Sequence, residues 1–285
     1  MFTRAIVRPP AANFAEGLTS ANLGAPNYER ALKQHEAYCL ALEQCGLTLT
    51  RLPPGPLHPD STFVEDTAVL TDKCAVLIRP GAPSRAGEVA SIKKVLTDFY
   101  SEMLSIQPPG TVDGGDVCEA GDHFFIGVSE RTNEAGARQM ADLLMPFGYT
   151  TSFVDIRGLN NMKLVPGADR GPQAGSPLGV VAATGSVSAG ILHLKSGLAW
   201  LGDNRLVVID SLAERTELVG YDLVRVNHEE TYAANCVQVN GHVLVAAGFS
   251  GLEGKLRELG YQTIALHMSE FQKMDGGLSC LSLRF

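Results

Sequence analysis

Residues 63–106, FVEDTAVLTDKCAVLIRPGAPSRAGEVASIKKVLTDFYSEMLSI, carry the plan on which the whole chain is built. The apolar runs 67–70 and 75–78 flank the polar triplet Thr71-Asp72-Lys73 and read as two strands joined by a tight turn. Val89, Ile92, Leu96 and Phe99 then recur at helical spacing, and a last apolar run closes at Ile106. The unit is strand, strand, helix, strand. The same plan is read in residues 3–52, 116–154, 192–226 and 235–266, making five units.

A single ββαβ unit cannot bury its own apolar face, so like units must pack side by side and share their cores. Closing the row into a ring removes exposed sheet edges. The first unit is one strand short, and residues 277–285 read as a strand able to supply it and close the circle. The expected fold class is α/β, a five-bladed propeller of pseudo-symmetric units, forming one catalytic domain over 1–285. Other elements agree with this plan. Helical stripes run through Ala137, Met140 and Leu144 and through Leu252, Leu256 and Leu259. The second stripe follows a capping box, Ser250-Gly251-Leu252-Glu253, and ends at Gly260. Strands are expected at 123–127, 205–209, 236–239 and 242–246, with Asn240-Gly241 as a hairpin turn. An irregular insertion at 156–190, rich in Gly and Pro, interrupts the plan. A loop of this length is either a lid or a passive insertion, and it ends close to His193.

Composition narrows the function. The chain has 285 residues, 45% of them hydrophobic and 19% charged, as expected of a globular protein with a full core. No apolar run reaches the ~18 residues of a membrane span, and Met1-Phe2-Thr3-Arg4 does not open a signal-peptide core, so a cytoplasmic, membrane-free location is expected. The net charge of −8 and the lack of a basic stripe argue against nucleic acid and suit a cationic substrate. Six cysteines without CxxC spacing make neither a disulfide framework nor a structural zinc site. Cys39, Cys45, Cys74, Cys118 and Cys236 fall in apolar stripes and read as inert core. Cys280 differs, because it follows the close-approach turn Asp275-Gly276-Gly277.

The polar residues fitted for chemistry sit where successive units begin: Glu65 and Asp66, Asp113 and Asp116, His193, Asn235, then Asp275 and Cys280. In a ring these starts converge near the axis. Phe63-Val64-Glu65-Asp66-Thr67, Arg79-Pro80-Gly81-Ala82-Pro83-Ser84-Arg85, Asp113-Gly114-Gly115-Asp116-Val117, Leu192-His193-Leu194-Lys195-Ser196, Ala233-Ala234-Asn235-Cys236 and the Asp275-to-Cys280 turn together resemble the dimethylarginine dimethylaminohydrolases. The resemblance spans almost the whole chain. It implies the pentein fold and hydrolysis of asymmetric dimethylarginine or monomethylarginine to citrulline and an amine. The insertion at 156–190 departs from the family pattern, being longer than the corresponding link.

A guanidinium carbon is a poor electrophile, its charge spread over three nitrogens. Its hydrolysis calls for a strong nucleophile, an acid for the departing amine and carboxylates to hold the cation. The resemblance assigns Cys280 as nucleophile through a covalent thiouronium, His193 as acid and base, and Asp113 as the group orienting His193. Taken alone, His193 reads as a core histidine, Asp113-Gly114-Gly115-Asp116 as a hairpin turn and Arg85 as surface charge at a helix start. Glu65 and Asp66 read as neighbours in a strand, facing opposite sides, with Asp66 favoured for the guanidinium and Glu65 contributing nearby or through its carbonyl. The resemblance adds Asp60 and the Leu18 backbone for the substrate α-amino group, Arg85 and Arg131 for its carboxylate, and Phe63, Met274 and Asp275 in the same pocket. No cofactor or metal is required. The expected partners are a small methylated-arginine substrate and, as an option, a second copy of the chain in a homodimer. The rival readings are arginine deiminase, amidinotransferase and a non-catalytic pentein that binds another macromolecule.

Overall fold

The computed structural model describes residues 1–157, 159 and 191–285. Apart from Ile156, Arg157 and Leu159, the insertion expected at 156–190 lies outside the described residues, and with it the question of a lid.

Five three-stranded sheets, one per unit, make up the fold. In chain order they use β1 (Arg4–Val7) and β2 (Thr48–Arg51); β3 (Ala68–Leu70), β4 (Ala75–Leu77) and β5 (Met103–Ser105); β6 (Val117–Ala120), β7 (His123–Val128) and β8 (Thr150–Asp155); β9 (Leu198–Gly202), β10 (Arg205–Ile209) and β11 (Asp222–Val226); β12 (Val237–Val239), β13 (His242–Ala246) and β14 (Gln262–Leu266). The last strand, β15 (Ser282–Arg284), runs antiparallel to β1 with Ile6 opposite Leu283. It supplies the strand missing from the first unit and closes the ring. In every sheet the middle strand is antiparallel to an inner neighbour and parallel to an outer one, and the inner strands pack beside one another around the axis.

A parallel pair needs a crossover between its strands. Four units use a helix for it: α1 (Tyr28–Gln44), α2 (Glu88–Leu96), α3 (Glu134–Leu144) and α4 (Ser250–Glu258), with a short α5 (Ser269–Gln272) added before the last turn. The fourth unit departs from the expected plan. Residues 210–221 cross from β10 to β11 through turns, and Leu212 and Leu218 fill the core in place of a helical stripe. The apolar residues there are too few and too irregularly spaced to make one. Elsewhere the stripes largely become core: Met140 and Leu144 of α3 are fully buried with Phe124 and Ile126 of β7, and Leu252 and Leu256 of α4 are buried. Each such side chain contributes about 2 kcal/mol of burial. Leu259, expected in the α4 stripe, is exposed past the end of α4.

Caps show where local signals hold and where they fail. Asn133 caps α3 by accepting the Gly136 N–H, and Asn240-Gly241 turns with φ of 48° and 88° between β12 and β13. At α4 the expected capping box does not form. The carboxylate of Glu230, from the preceding turn, accepts the N–H groups of Gly251 and Leu252 instead, at 2.8 Å each.

Candidate active site

A short 3-10 turn stands at the entry to each of the five inner strands: Val64–Thr67, Gly114–Asp116, Leu194–Ser196, His228–Ala234 and Ser279–Leu281. These turns carry the polar residues singled out at the unit starts, and the ring brings them together. Glu65 and Asp66 therefore lie on a turn and not in a strand, though their side chains still diverge.

One cleft gathers eleven of the twelve residues expected at the site: Cys280, His193, Asp113, Leu18, Asp60, Phe63, Asp66, Arg85, Arg131, Met274 and Asp275. Glu65 is the exception. Its carboxylate turns to the axis, accepting from Lys195 Nζ at 2.6 Å and from Ser279 Oγ at 2.9 Å. Leu192 and Gly276 join the cleft without having been expected. Gly276 is required because a Cβ there would stand 2.2 Å from the Phe63 ring.

The His193 ring packs on Gly115, where a Cβ would come within 2.7 Å of it. Its Nε2–H donates to Asp113 Oδ2 at 3.1 Å, and Asp113 Oδ1 accepts the Gly81 N–H at 2.7 Å. His193 is buried and hydrogen-bonded, as a core histidine would be, and it also lines the cleft. Burial works against its charge, but Asp66, Asp113 and Asp116 outweigh that and raise its pKa to about 9. The imidazole is protonated at neutral pH. Asp66 is fully buried, and burial alone would raise its pKa; the positive charges of His193 and Arg85 and the Gly115 N–H bring it down to about 2 instead.

Arg85 is buried, not surface charge at a helix start. Its Nη1 donates to Asp66 Oδ2 at 2.6 Å, its Nε and Nη2 to Glu88, and Nη2 also to the Phe63 carbonyl. Glu88 escaped the sequence reading although it stands at the (i, i+3) position from Arg85, a spacing that signals such a pair. Arg131 makes no side-chain hydrogen bond among the described residues. Asp60 accepts the Leu18 N–H at 3.0 Å, and Asp275, at φ 57°, accepts the N–H and Oγ–H of Ser20, so the chain ahead of α1 is tied across the cleft.

Cys280 receives the Gly277 N–H at 3.4 Å. Burial, with the negative charges of Glu65 and Asp66 adding to it, pushes its thiol well up, so it rests protonated. The other five cysteines are buried as expected, and burial raises their pKa values too. What sets Cys280 apart is the cleft it lines. Behind it, Asn235 accepts the Ser279 N–H and donates to the Lys195 carbonyl, which joins the nucleophile turn to the His193 turn. Lys195 could have been found from sequence: a lysine among apolar residues needs an acid, and Glu65 was available. Beyond this pair the five inner strands line an axial cavity of about 260 Å³.

Asp66, Asp113 and His193 bring one ligand-type atom each within 4.8 Å of the others. The carboxylates already accept hydrogen bonds, Asp66 from Arg85 and Gly115 and Asp113 from Gly81.

No family model matches the chain. Among curated proteins, the dimethylarginine dimethylaminohydrolase of Pseudomonas aeruginosa is 40% identical over 286 residues, covering 100% of both chains. The chain belongs to the dimethylarginine dimethylaminohydrolase family. A second member, from Streptomyces coelicolor, is 30% identical over 99% of this chain and 96% of its own. The solved structure of the Pseudomonas dimethylarginine dimethylaminohydrolase, as a cysteine-to-serine variant with citrulline, superposes with a TM-score of 0.87 over 100% of both chains. A cyanobacterial arginine dihydrolase domain, 17% identical, reaches a TM-score of 0.80 over 100% of this chain and 97% of its own, and shares the five-bladed pentein fold. No helix among the described residues of this dimethylarginine dimethylaminohydrolase family member is long and apolar enough to cross a membrane.

Proposed function

We propose that the protein hydrolyses asymmetric dimethylarginine and monomethylarginine to citrulline and the corresponding amine. The observation that carries this reading is the His193 imidazole bracketed by Asp66 and Asp113 in the cleft that holds Cys280. An acid, a nucleophile and a cation-binding carboxylate stand together.

The substrate guanidinium meets Asp66, whose oxygens each keep a lone pair beyond their bonds to Arg85 and Gly115. Asp60 and the Leu18 carbonyl take the α-ammonium. Arg131, which makes no side-chain hydrogen bond among the described residues, takes the α-carboxylate, with Arg85 beside it on the cleft wall. Burial holds the thiol protonated, with the charges of Glu65 and Asp66 adding to it; bringing a cation to Asp66 offsets part of that and favours the Cys280 thiolate, whose proton leaves to solvent. The thiolate adds to the guanidinium carbon. His193 gives its proton to the substituted nitrogen, the C–N bond breaks and the amine departs, leaving a thiouronium. Neutral His193 then takes a proton from water, hydroxide adds to the same carbon, the C–S bond breaks, the hydroxyl proton passes to solvent and citrulline is released with the thiolate restored. The proton balance closes.

Phe63, packed at ring-centroid distances of 5.9 Å from Phe14 and 6.3 Å from Phe271, offers an apolar wall to methyl groups. The test is citrulline formation with asymmetric dimethylarginine, monomethylarginine and arginine in competition. Preference for the methylated substrates supports the reading; preference for arginine would make the enzyme a deiminase; no turnover would return it to the binding proteins of this fold.

A further inference from the structure

Asp116 lies outside the cleft and is fully buried. Its Oδ1 accepts the N–H of Leu194, next to His193, at 2.9 Å. Its Oδ2 accepts Thr132 Oγ1–H at 2.7 Å and Ser129 Oγ–H at 2.6 Å. Thr132 Oγ1 in turn accepts the Asp113 N–H at 3.0 Å, and Ser129 Oγ accepts the Arg131 N–H at 3.0 Å. One carboxylate, from the third unit, thereby reaches the backbone at Asp113 and Arg131 of its own unit and at His193 of the next.

We propose that Asp116 is the positioning residue of the catalytic pair, fixing the place of His193 against Asp113 and supplying negative charge that keeps the imidazole protonated.

Hydrogen bonding alone does not account for a carboxylate here. An N–H and two hydroxyls require acceptors, which a neutral amide oxygen could in part provide, whereas burying a full charge is costly without compensation. Among the described residues no Lys or Arg pairs with Asp116; burial pushes its pKa up to about 6, opposed by the charge of His193 and by the bonds from Ser129, Thr132 and Leu194. The charged groups facing His193 are Asp66 on the second unit's turn and Asp113 and Asp116 on the third's. Asp66 and Asp113 are among the residues that line the cleft. Asp116 is not, so its contribution persists while the guanidinium occupies Asp66 and while the amine departs. The inference rests on the hydrolase reading of His193 as acid and base, but it is measurable without turnover.

The test is Asp116→Asn, read by NMR titration of labelled His193 in the full-length protein and by kcat and KM against pH. The expected result is a fall of about one unit in the His193 pKa, a matching downward shift of the alkaline limb of kcat, and a kcat at neutral pH lower by about tenfold or more with KM within about threefold. Thr132→Val, which cuts Asp113 from Asp116, is expected to move the same readouts in the same direction, and Thr132→Ser, which keeps the hydroxyl, to restore them. This pair decides the matter should Asp116→Asn not fold. Unchanged His193 titration and an unchanged limb in Asp116→Asn, or in Thr132→Val, with only the melting temperature lowered, would overturn the proposal and leave Asp116 a structural carboxylate. Failure of the wild type to turn over methylated arginines would instead count against the hydrolase reading, while the His193 titration would still report on Asp116.

Discussion

Lys195 Nζ lies 2.6 Å from Glu65 Oε1, so the acid beside Asp66 is spent on the propeller axis and not on substrate. Two carboxylates adjacent in sequence thus serve different parts of the molecule. Asp66 faces the cleft; Glu65 ties the nucleophile turn, through Ser279, to the turn that carries Lys195.

Glu65→Gln is therefore expected to leave KM within about threefold of wild type, since no substrate contact is lost. Because the Glu65 charge helps to raise the Cys280 thiol, the same variant is expected to alkylate at lower pH. The pH dependence of iodoacetamide modification, beside steady-state kinetics, checks both. A hundredfold rise in KM would place Glu65 back in the substrate site.

Asp66→Asn is expected to behave differently. Removing one partner of a buried charge contact costs about 3–5 kcal/mol, so kcat/KM is expected to fall by roughly a hundred- to a thousandfold or more. The variant also takes away a charge that raises His193, so the alkaline limb of kcat is expected to move down. Kinetics across pH 6 to 10 will show whether both changes occur together.

Stability should carry the signature of His193. Its folded pKa of about 9 lies above its ordinary 6.5, so the folded state holds this proton more tightly than the unfolded chain. That contribution is fully present below pH 6.5 and is lost as pH rises through about 9. Urea denaturation is expected to give lower stability at pH 9.5 than at 6.5, with the difference shrinking in His193→Gln.

The ring was legible in the sequence because each unit repeats signals that need no distant partner. Thr71-Asp72-Lys73 and Asn240-Gly241 mark turns, and the Val89, Ile92, Leu96 stripe marks a helix. The site was legible for a related reason: Asp66, Asp113 and His193 are polar residues at corresponding places in units otherwise apolar, and their motifs carry a family resemblance. What escaped is the choice of partner each polar side chain makes in the folded chain. Glu230 replaces the local capping box of α4, Glu88 stands behind Arg85, and Lys195 meets an acid 130 positions away. The direction of Glu65 follows from a 3-10 turn that the alternation of strand side chains could not reveal. The fourth unit lost its helix because Leu212 and Leu218 reach the core from a short crossover without one.

The central claim is that the guanidinium carbon of the substrate becomes bonded to Cys280. Its most direct test is intact-protein and peptide mass spectrometry of His193→Gly after acid quench. The substrate should be an S-alkyl isothiourea analogue of methylated arginine, whose thiolate leaves without an acid while hydrolysis still lacks its base. The account predicts a stable added mass on the peptide containing Cys280, equal to the analogue less its alkylthiol, and none in Cys280→Ser. An adduct on another residue, or no added mass while Cys280→Ser still forms citrulline from dimethylarginine, would contradict it.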